Sequence, residues 1–244
     1  MILPQRSVRC GRIRDFPHLG HFIPQTSGPQ TCGFNTGCSN RDGMESDAQK
    51  DAWEKLYSSQ GRPWRGVADI RWTGIAPGTR VLDLGCGNGK TSEALLEAGC
   101  AVVGADFSEA AVESCRKLLG HRAEFVAADC RDLPFPDGSF GAVAAVHVLE
   151  HVPRPDLEKA VSEMLRVTAP GGRICIRCFA EGDMRSGGEK ESVRNGILYR
   201  YFSEDELRGL LRTEKILSLE HIDEPTRFGT VRRRMECVAE RTVF

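Results

Sequence analysis

The 244-residue chain contains no apolar run long enough to cross a bilayer, and no apolar stretch of signal-peptide type follows Met1. Both absences predict a cytoplasmic protein with no membrane partner. Net charge is almost absent too: 33 Lys and Arg face 34 Asp and Glu, leaving −1. The balance is uneven, because residues 1–43 carry +3 and the remainder −4. A mildly acidic body lacks the broad basic surface that duplex nucleic acid requires. Nor do the ten cysteines form a framework. They are scattered through strand-like and helix-like segments, whereas small secreted scaffolds gather theirs in turns, so reduced thiols are expected. Cys175 and Cys178 lie three apart on a strand-like run and therefore face opposite sides, a poor arrangement for redox or metal chemistry.

Residues 1–43 are rich in Gly, Pro, Ser, Thr and Asn and hold no sustained period, which predicts a disordered extension, with Met44 a plausible alternative start. Residues 44–244 are expected to form one domain. It opens on leading helices within 45–78, where Trp53, Leu56 and Tyr57 recur at helical spacing. These aromatics either pack the helix on the sheet edge, the favoured reading, or line a lid over a site. Strands are then expected at 81–84, 101–105, 123–128, 140–146 and 173–179, with helices between them and Ser108 as one N-cap. Such alternation implies right-handed crossovers and a doubly wound, mostly parallel α/β sheet. Residues 181–196 read as a polar loop, and a capping box from Ser203 to Glu206 opens a helix over 204–212. The runs 215–222 and 231–240 have no crossover helix between them. An antiparallel pair is expected, completing a seven-stranded sheet with a C-terminal antiparallel strand.

The most informative stretch is Val81-Leu-Asp-Leu-Gly-Cys-Gly-Asn-Gly-Lys90, a buried-type strand that breaks into alternate glycines and restarts as a helix. Bare backbone N–H groups at such a turn hold a nucleotide. A P-loop would need glycine at Leu84, and a dinucleotide fingerprint would need it at Lys90. Both phosphate motifs fail.

The segment resembles the first motif of the class I S-adenosylmethionine-dependent methyltransferases, of type 11 pattern. The resemblance extends over roughly residues 45–244, through Val102–Ser108, Ala128–Phe135, Phe140–Val152 and the Ala169-Pro-Gly-Gly172 turn. It implies the Rossmann-like methyltransferase fold, S-adenosyl-L-methionine as cofactor, and methylation as the activity. It further implies that Asp83, Gly85, Cys86 and Gly87 lie along the methionine part of the cofactor. Asp106, followed by Phe107, would bind the ribose hydroxyls, and Asp129 with Cys130 the adenine, with His147 nearby at the end of the fourth strand. One departure is Gly141 after Phe140, where members often carry an acidic residue.

A general base is needed only for a protonated acceptor, and His147, Glu150 and His151 are the candidates, with a purely structural histidine the competing reading for His147. His-x-x-Glu-His is also a zinc-peptidase pattern, but Pro153 denies it a sustained helix, so no metal is expected. The Asn/Asp-Pro-Pro-Tyr/Phe motif of amide and exocyclic-amine methylases is missing after strand four. Trp53, Tyr57 and Trp64 on one side, and Arg194, Tyr199 and Tyr201 on the other, are candidates for a pocket suited to a small anionic or aromatic acceptor; the alternative is that the second group docks the last helix. The expected function is methyl transfer to O or N of a small molecule. Its rivals are a tRNA-modifying methyltransferase, favoured only by Arg232-Arg-Arg234, and a cofactor-binding regulator without catalysis. A solvated edge strand accounts for that arginine run more simply.

Overall fold

In the computed structural model, the described residues are 41–60, 66 and 68–242. Residues 1–40, most of the expected extension, and Trp64 lie outside them. Helix α1 (Arg41–Gln60) starts three residues before the expected boundary at Met44. After a short 3₁₀ turn (Arg71–Thr73) come β1 (Arg80–Leu84), α2 (Lys90–Glu97), β2 (Ala101–Asp106), α3 (Glu109–Leu119), β3 (Glu124–Ala127) and β4 (Phe140–Val146). Helix α4 (Leu157–Val167), β5 (Thr168–Phe179), β6 (Glu191–Arg194), β7 (Ile197–Arg200), α5 (Glu204–Leu210), β8 (Lys215–Pro225) and β9 (Val231–Glu240) follow.

The main sheet has seven strands in the order β3-β2-β1-β4-β5-β9-β8. Strands β1 to β5 are mutually parallel, while β9 runs antiparallel to both of its neighbours. From β1 the chain winds outward through β2 and β3, then returns to build β4 and β5 on the other side. The order therefore reverses between β1 and β4, where open α/β sheets leave a crevice beyond the strand carboxyl ends. The central strands are buried on both faces, as β1 shows from Val81 to Leu84. The main core joins them to α4 and α5 through Leu82, Val143, Met164, Ile176 and Leu207.

Local signals explain most boundaries. Ser108 Oγ accepts from the Ala111 N–H to cap α3, and the Ser203–Glu206 capping box opens α5, with Phe202 and Leu207 buried in the same core. Three expectations are corrected. Residues 181–196 are not all loop: β6 and β7 pair through a two-residue turn, Asn195-Gly196, both at positive φ. Asn-Gly is a strong hairpin signal, masked here by a strand polar on both faces. The arginine run Arg232–Arg234 is not on an edge strand, since β8 forms the edge and β9 lies inside it. Helix α1 does not merely pack at the sheet edge; it lies across the crevice, as the site geometry shows.

Strand β5 also starts earlier than expected, running back through Pro170-Gly171-Gly172 to Thr168 with a bulge against β4 at Gly141. A Cβ at Gly172 would lie 2.7 Å from the Ala169 carbonyl oxygen and 2.8 Å from that of Gly141. Neither backbone oxygen can swing away, so Gly172→Ala should cost about 1–3 kcal/mol. A denaturation midpoint unchanged from wild type would show that the bulge relaxes freely.

Candidate active site

Two adjoining cavities occupy the crevice, sharing Trp53, Tyr57, Gly85, His147 and His151 in their walls. The narrower, about 100 Å³, is lined by Leu84, Asp106, Phe107, Asp129, Cys130 and Val148 among others. The wider, about 440 Å³, runs from the glycine turn towards the β6–β7 hairpin and β9.

The narrow cavity is built around Asp106 at the carboxyl end of β2, buried to 6% exposure. The Gly87 N–H donates to its Oδ2 at 2.8 Å and the Ser108 N–H to its Oδ1 at 3.0 Å. Gly85 and Gly87 both hold positive φ, at 66° and 51°. A Cβ on Gly85 would strike Val148 Cγ2 at 2.4 Å, and one on Gly87 would strike the Tyr57 hydroxyl at 2.6 Å. Glycine is required by backbone conformation and close approach together. At the other end Asp129 accepts from Nε and Nη2 of the Arg131 guanidinium, and Arg131 reaches on to Asp156 at 2.5 Å. That pairing holds the Asp129 carboxyl below its usual range despite the opposing effect of burial, which is the largest single influence on it.

Helix α1 roofs the site through two polar side chains. Gln49 Nε2 donates to the His151 carbonyl at 2.5 Å while its Oε1 accepts from the Leu198 N–H at 2.9 Å. Glu54 accepts from Ser108 Oγ at 2.6 Å and from the Ala110 N–H at 3.1 Å, at the start of α3. Below the roof, six rings form an arc around the wider cavity. Tyr57 stacks on Trp53, Trp53 meets His151 edge-on at 4.9 Å, His151 meets Tyr199 at 5.0 Å, and Tyr199 stacks on Phe179, which leans on His147 at 4.7 Å.

His147 follows β4 with φ of 60°, uncommon for a residue with a Cβ, and its N–H donates to the Arg177 carbonyl at 2.8 Å. Its Nδ1 lies 2.6 Å from Oε1 of Glu150, a fully buried carboxylate whose Oε2 has no partner. Donation from Nδ1–H to that carboxylate leaves Nε2 with its lone pair. His151 Nδ1 is 2.6 Å from the Leu198 carbonyl oxygen, which can only accept. Burial lowers the pKa of His151, so its ring stays neutral.

Most of the residues singled out from sequence thus meet here: Gly85, Gly87, Asp106, Phe107, Asp129, Cys130, His147, Trp53, Tyr57, Arg194 and Tyr199 all line one cavity or both. Three do not fit their expected places. Asp83 lines neither cavity; it is buried with Ser92 Oγ donating to it at 2.5 Å, so it ties the glycine turn to α2. Cys86 borders the wider cavity, but its sulfur lies 4.0 Å from Cys115 Sγ and packs with α3. Tyr201 is 1% exposed behind Phe179 and lines neither cavity. Sequence reasoning missed Gln49, Glu54, Phe179 and Arg185. The spacing around them carries no motif, and only the hairpin and the roof bring them together.

The doubly wound order and its crevice define an α/β protein with a ligand site at the strand reversal. Residues 82–176 match the family model for the methyltransferase domain, over the part of the chain that builds β1 to β5. Demethylmenaquinone methyltransferase of Clavibacter sepedonicus is 48% identical over 119 residues, 48% of this chain and 47% of that protein. The chloroplastic tocopherol O-methyltransferase of Arabidopsis thaliana is 37% identical over 116 residues, 45% of this chain and 33% of that one. The chain spans about half the length, or less, of these curated relatives. Among solved structures, a SAM-dependent methyltransferase of Methanosarcina mazei superposes with a TM-score of 0.64 at 23% identity, over 74% of this chain and all of that one. The 1,6-didemethyltoxoflavin-N1-methyltransferase of Burkholderia thailandensis gives 0.67 at 19% identity, over 86% and 94%. No helix among the described residues is long and apolar enough to cross a membrane.

The buried carboxylates set a pH dependence. Burial raises the pKa of Asp83 to about 7 and that of Asp106 to about 6. Between the ordinary aspartate pKa and these values the folded chain holds more protons than the unfolded chain, so their contribution to stability falls as pH rises from about 4 to 7. Asp83→Asn removes the larger shift and keeps a partner for Ser92. Its melting temperature should gain on wild type across that range; parallel profiles for the two proteins would contradict the burial of an ionisable group there.

Proposed function

We propose that the chain transfers a methyl group from S-adenosyl-L-methionine to an O or N atom of a small-molecule acceptor. The observation that carries this reading is the buried Asp106 carboxylate bonded by Gly87, set between a narrow cavity and a glycine turn that any Cβ would fill. One carboxylate at that point offers two oxygens to the two ribose hydroxyls. Gly85 and Gly87 would pass the methionine part, while Phe107, Asp129 and Cys130 would enclose the adenine.

The cofactor supplies a methyl group on a sulfonium, activated for attack by a lone pair. The chain's task is then to bind, align and deprotonate. The aromatic arc orients a flat acceptor and excludes water. His147, held by Glu150, takes the acceptor proton at Nε2 as the new bond forms. This is the reason to favour O–H or N–H acceptors, although named relatives include a sterol 24-C-methyltransferase of Gibberella zeae besides the tocopherol O-methyltransferase.

S-adenosylhomocysteine should bind in calorimetry, with NAD and ATP failing to do so. Because the ribose needs Asp106 ionised, affinity should rise about tenfold from pH 5 to pH 7 and level off above the Asp106 value of about 6. Asp106→Ala should lose tenfold or more, corresponding to roughly 1.5–3 kcal/mol for each charged hydrogen bond removed. Tight NAD binding, or full affinity in Asp106→Ala, would refute the assignment. His147→Ala should lower kcat by about 10²–10⁴ with the cofactor still bound. Turnover at the wild-type rate would reduce His147 to a wall residue.

A further inference from the structure

The wider cavity has an unusual electrical character for a chamber walled by aromatic rings. Its lining includes six cations, Lys90, Arg177, Arg185, Arg194, Arg232 and Arg234, and no carboxylate among the described residues. Three of them are compensated from behind the wall: Arg177 pairs with Glu236 at 2.6 Å, Arg185 with Asp183 at 2.7 Å, and Arg234 with Glu224. Lys90, Arg194 and Arg232 make no ion pair with any described residue. Arg194 lies over the Tyr199 ring at 5.9 Å and Arg185 over that of Phe179 at 3.9 Å, so the charge is laid along the aromatic arc. Arg177 is 9% exposed, and its Nε, like that of Arg234, is buried without a hydrogen-bond partner. Arg177 also lies over the Trp72 ring at 5.0 Å, so these two guanidiniums are held in the wall, and the exposed Arg194 and Arg232 are the ones offered to the chamber.

We infer that this chamber binds an aromatic acceptor bearing a carboxylate or phosphate group, its ring against Tyr199 and Phe179 and its anionic end between Arg194 and Arg232. The inference rests on the methyl-transfer reading. With S-adenosylmethionine bound, the ammonium and sulfonium outweigh its one carboxylate, so the cofactor adds a further positive charge and an anionic acceptor balances it. The chamber thereby disfavours neutral lipid-like acceptors of the sort named for the tocopherol and sterol relatives.

The test uses the full chain saturated with S-adenosylhomocysteine and titrated with phenyl phosphate and with phenol. Phenyl phosphate should bind about tenfold or more tightly than phenol. Arg232→Gln and Arg194→Gln alter exposed side chains without ion pairs among the described residues, so both variants should stay folded. Each should weaken phenyl phosphate about tenfold while leaving S-adenosylhomocysteine affinity within about twofold. Equal affinity for phenol and phenyl phosphate, or indifference to both substitutions, overturns the inference. Failure of S-adenosylhomocysteine to bind refutes the cofactor reading instead, and phenyl phosphate titrated into the protein alone then decides the anion site by the same two criteria.

Discussion

The site depends on one buried contact, the Gly87 N–H donated to the Asp106 carboxylate. It fixes the turn after β1 to the end of β2, and it does so at the reversal point of the sheet. An ionised carboxylate in that position is expensive, and burial accordingly raises its pKa. Two backbone N–H groups offset part of the cost. The remaining lone pairs face the cavity, so the group is held in a state that a pair of hydroxyls would improve. Gly85 and Gly87 follow from the same constraint, because the turn must come close enough to Asp106, Val148 and Tyr57 to leave no space for a Cβ.

The roof extends that constraint to the acceptor side. Helix α1 packs Trp53 and Tyr57 with Ala111 and Ile197 in a small apolar cluster, and two polar side chains fix its place there. Gln49 satisfies one backbone donor on the hairpin and one acceptor in the loop after β4, while Glu54 takes donors at the start of α3. Trp53, carried between them, and Tyr57, one turn further on, are therefore placed over both cavities. A single helix thus supplies wall residues to the narrow cavity and to the wide one.

The sheet was legible in the sequence because strand–helix alternation and short strand-like runs such as Val81 to Leu84 and Ala142 to Ala145 have only one economical arrangement. Asp106, Asp129 and the glycines were legible for a related reason: they sit at strand ends, where the pattern changes abruptly. The hairpin was not. Glu191 to Arg194 present polar or exposed side chains on both faces, so no period of two marks them, and Asn195-Gly196 was the one cue available. Arg232 and Arg234 misled through the same ambiguity, since a polar run reads as an edge strand until the pairing of β9 with both β5 and β8 is known. Asp83 misled in the opposite direction. Its place in a motif suggested a ligand contact, but its carboxylate is turned towards Ser92 in the interior.

The two histidines show how the catalytic and electrostatic features of the site fit together. Both have Nδ1 engaged, His147 with a buried carboxylate and His151 with a carbonyl oxygen, so both can present a neutral Nε2 to a chamber already rich in positive charge. Neutrality suits His151 there, because burial already lowers its pKa and a protonated ring would stand beside several arginines. The same positive surroundings that disfavour imidazolium also favour the deprotonated form of an acceptor O–H or N–H. Under the proposed methyl transfer, deprotonation would be shared between His147, which would receive the proton, and the arginine wall, which would stabilise the anion left behind. On that reading Glu150, 2.6 Å from His147 Nδ1 and outside the chamber lining, would orient the ring without facing the acceptor itself. A carboxylate exposed in the chamber would have neutralised the wall; one buried behind the histidine holds the ring in place and leaves the wall positive.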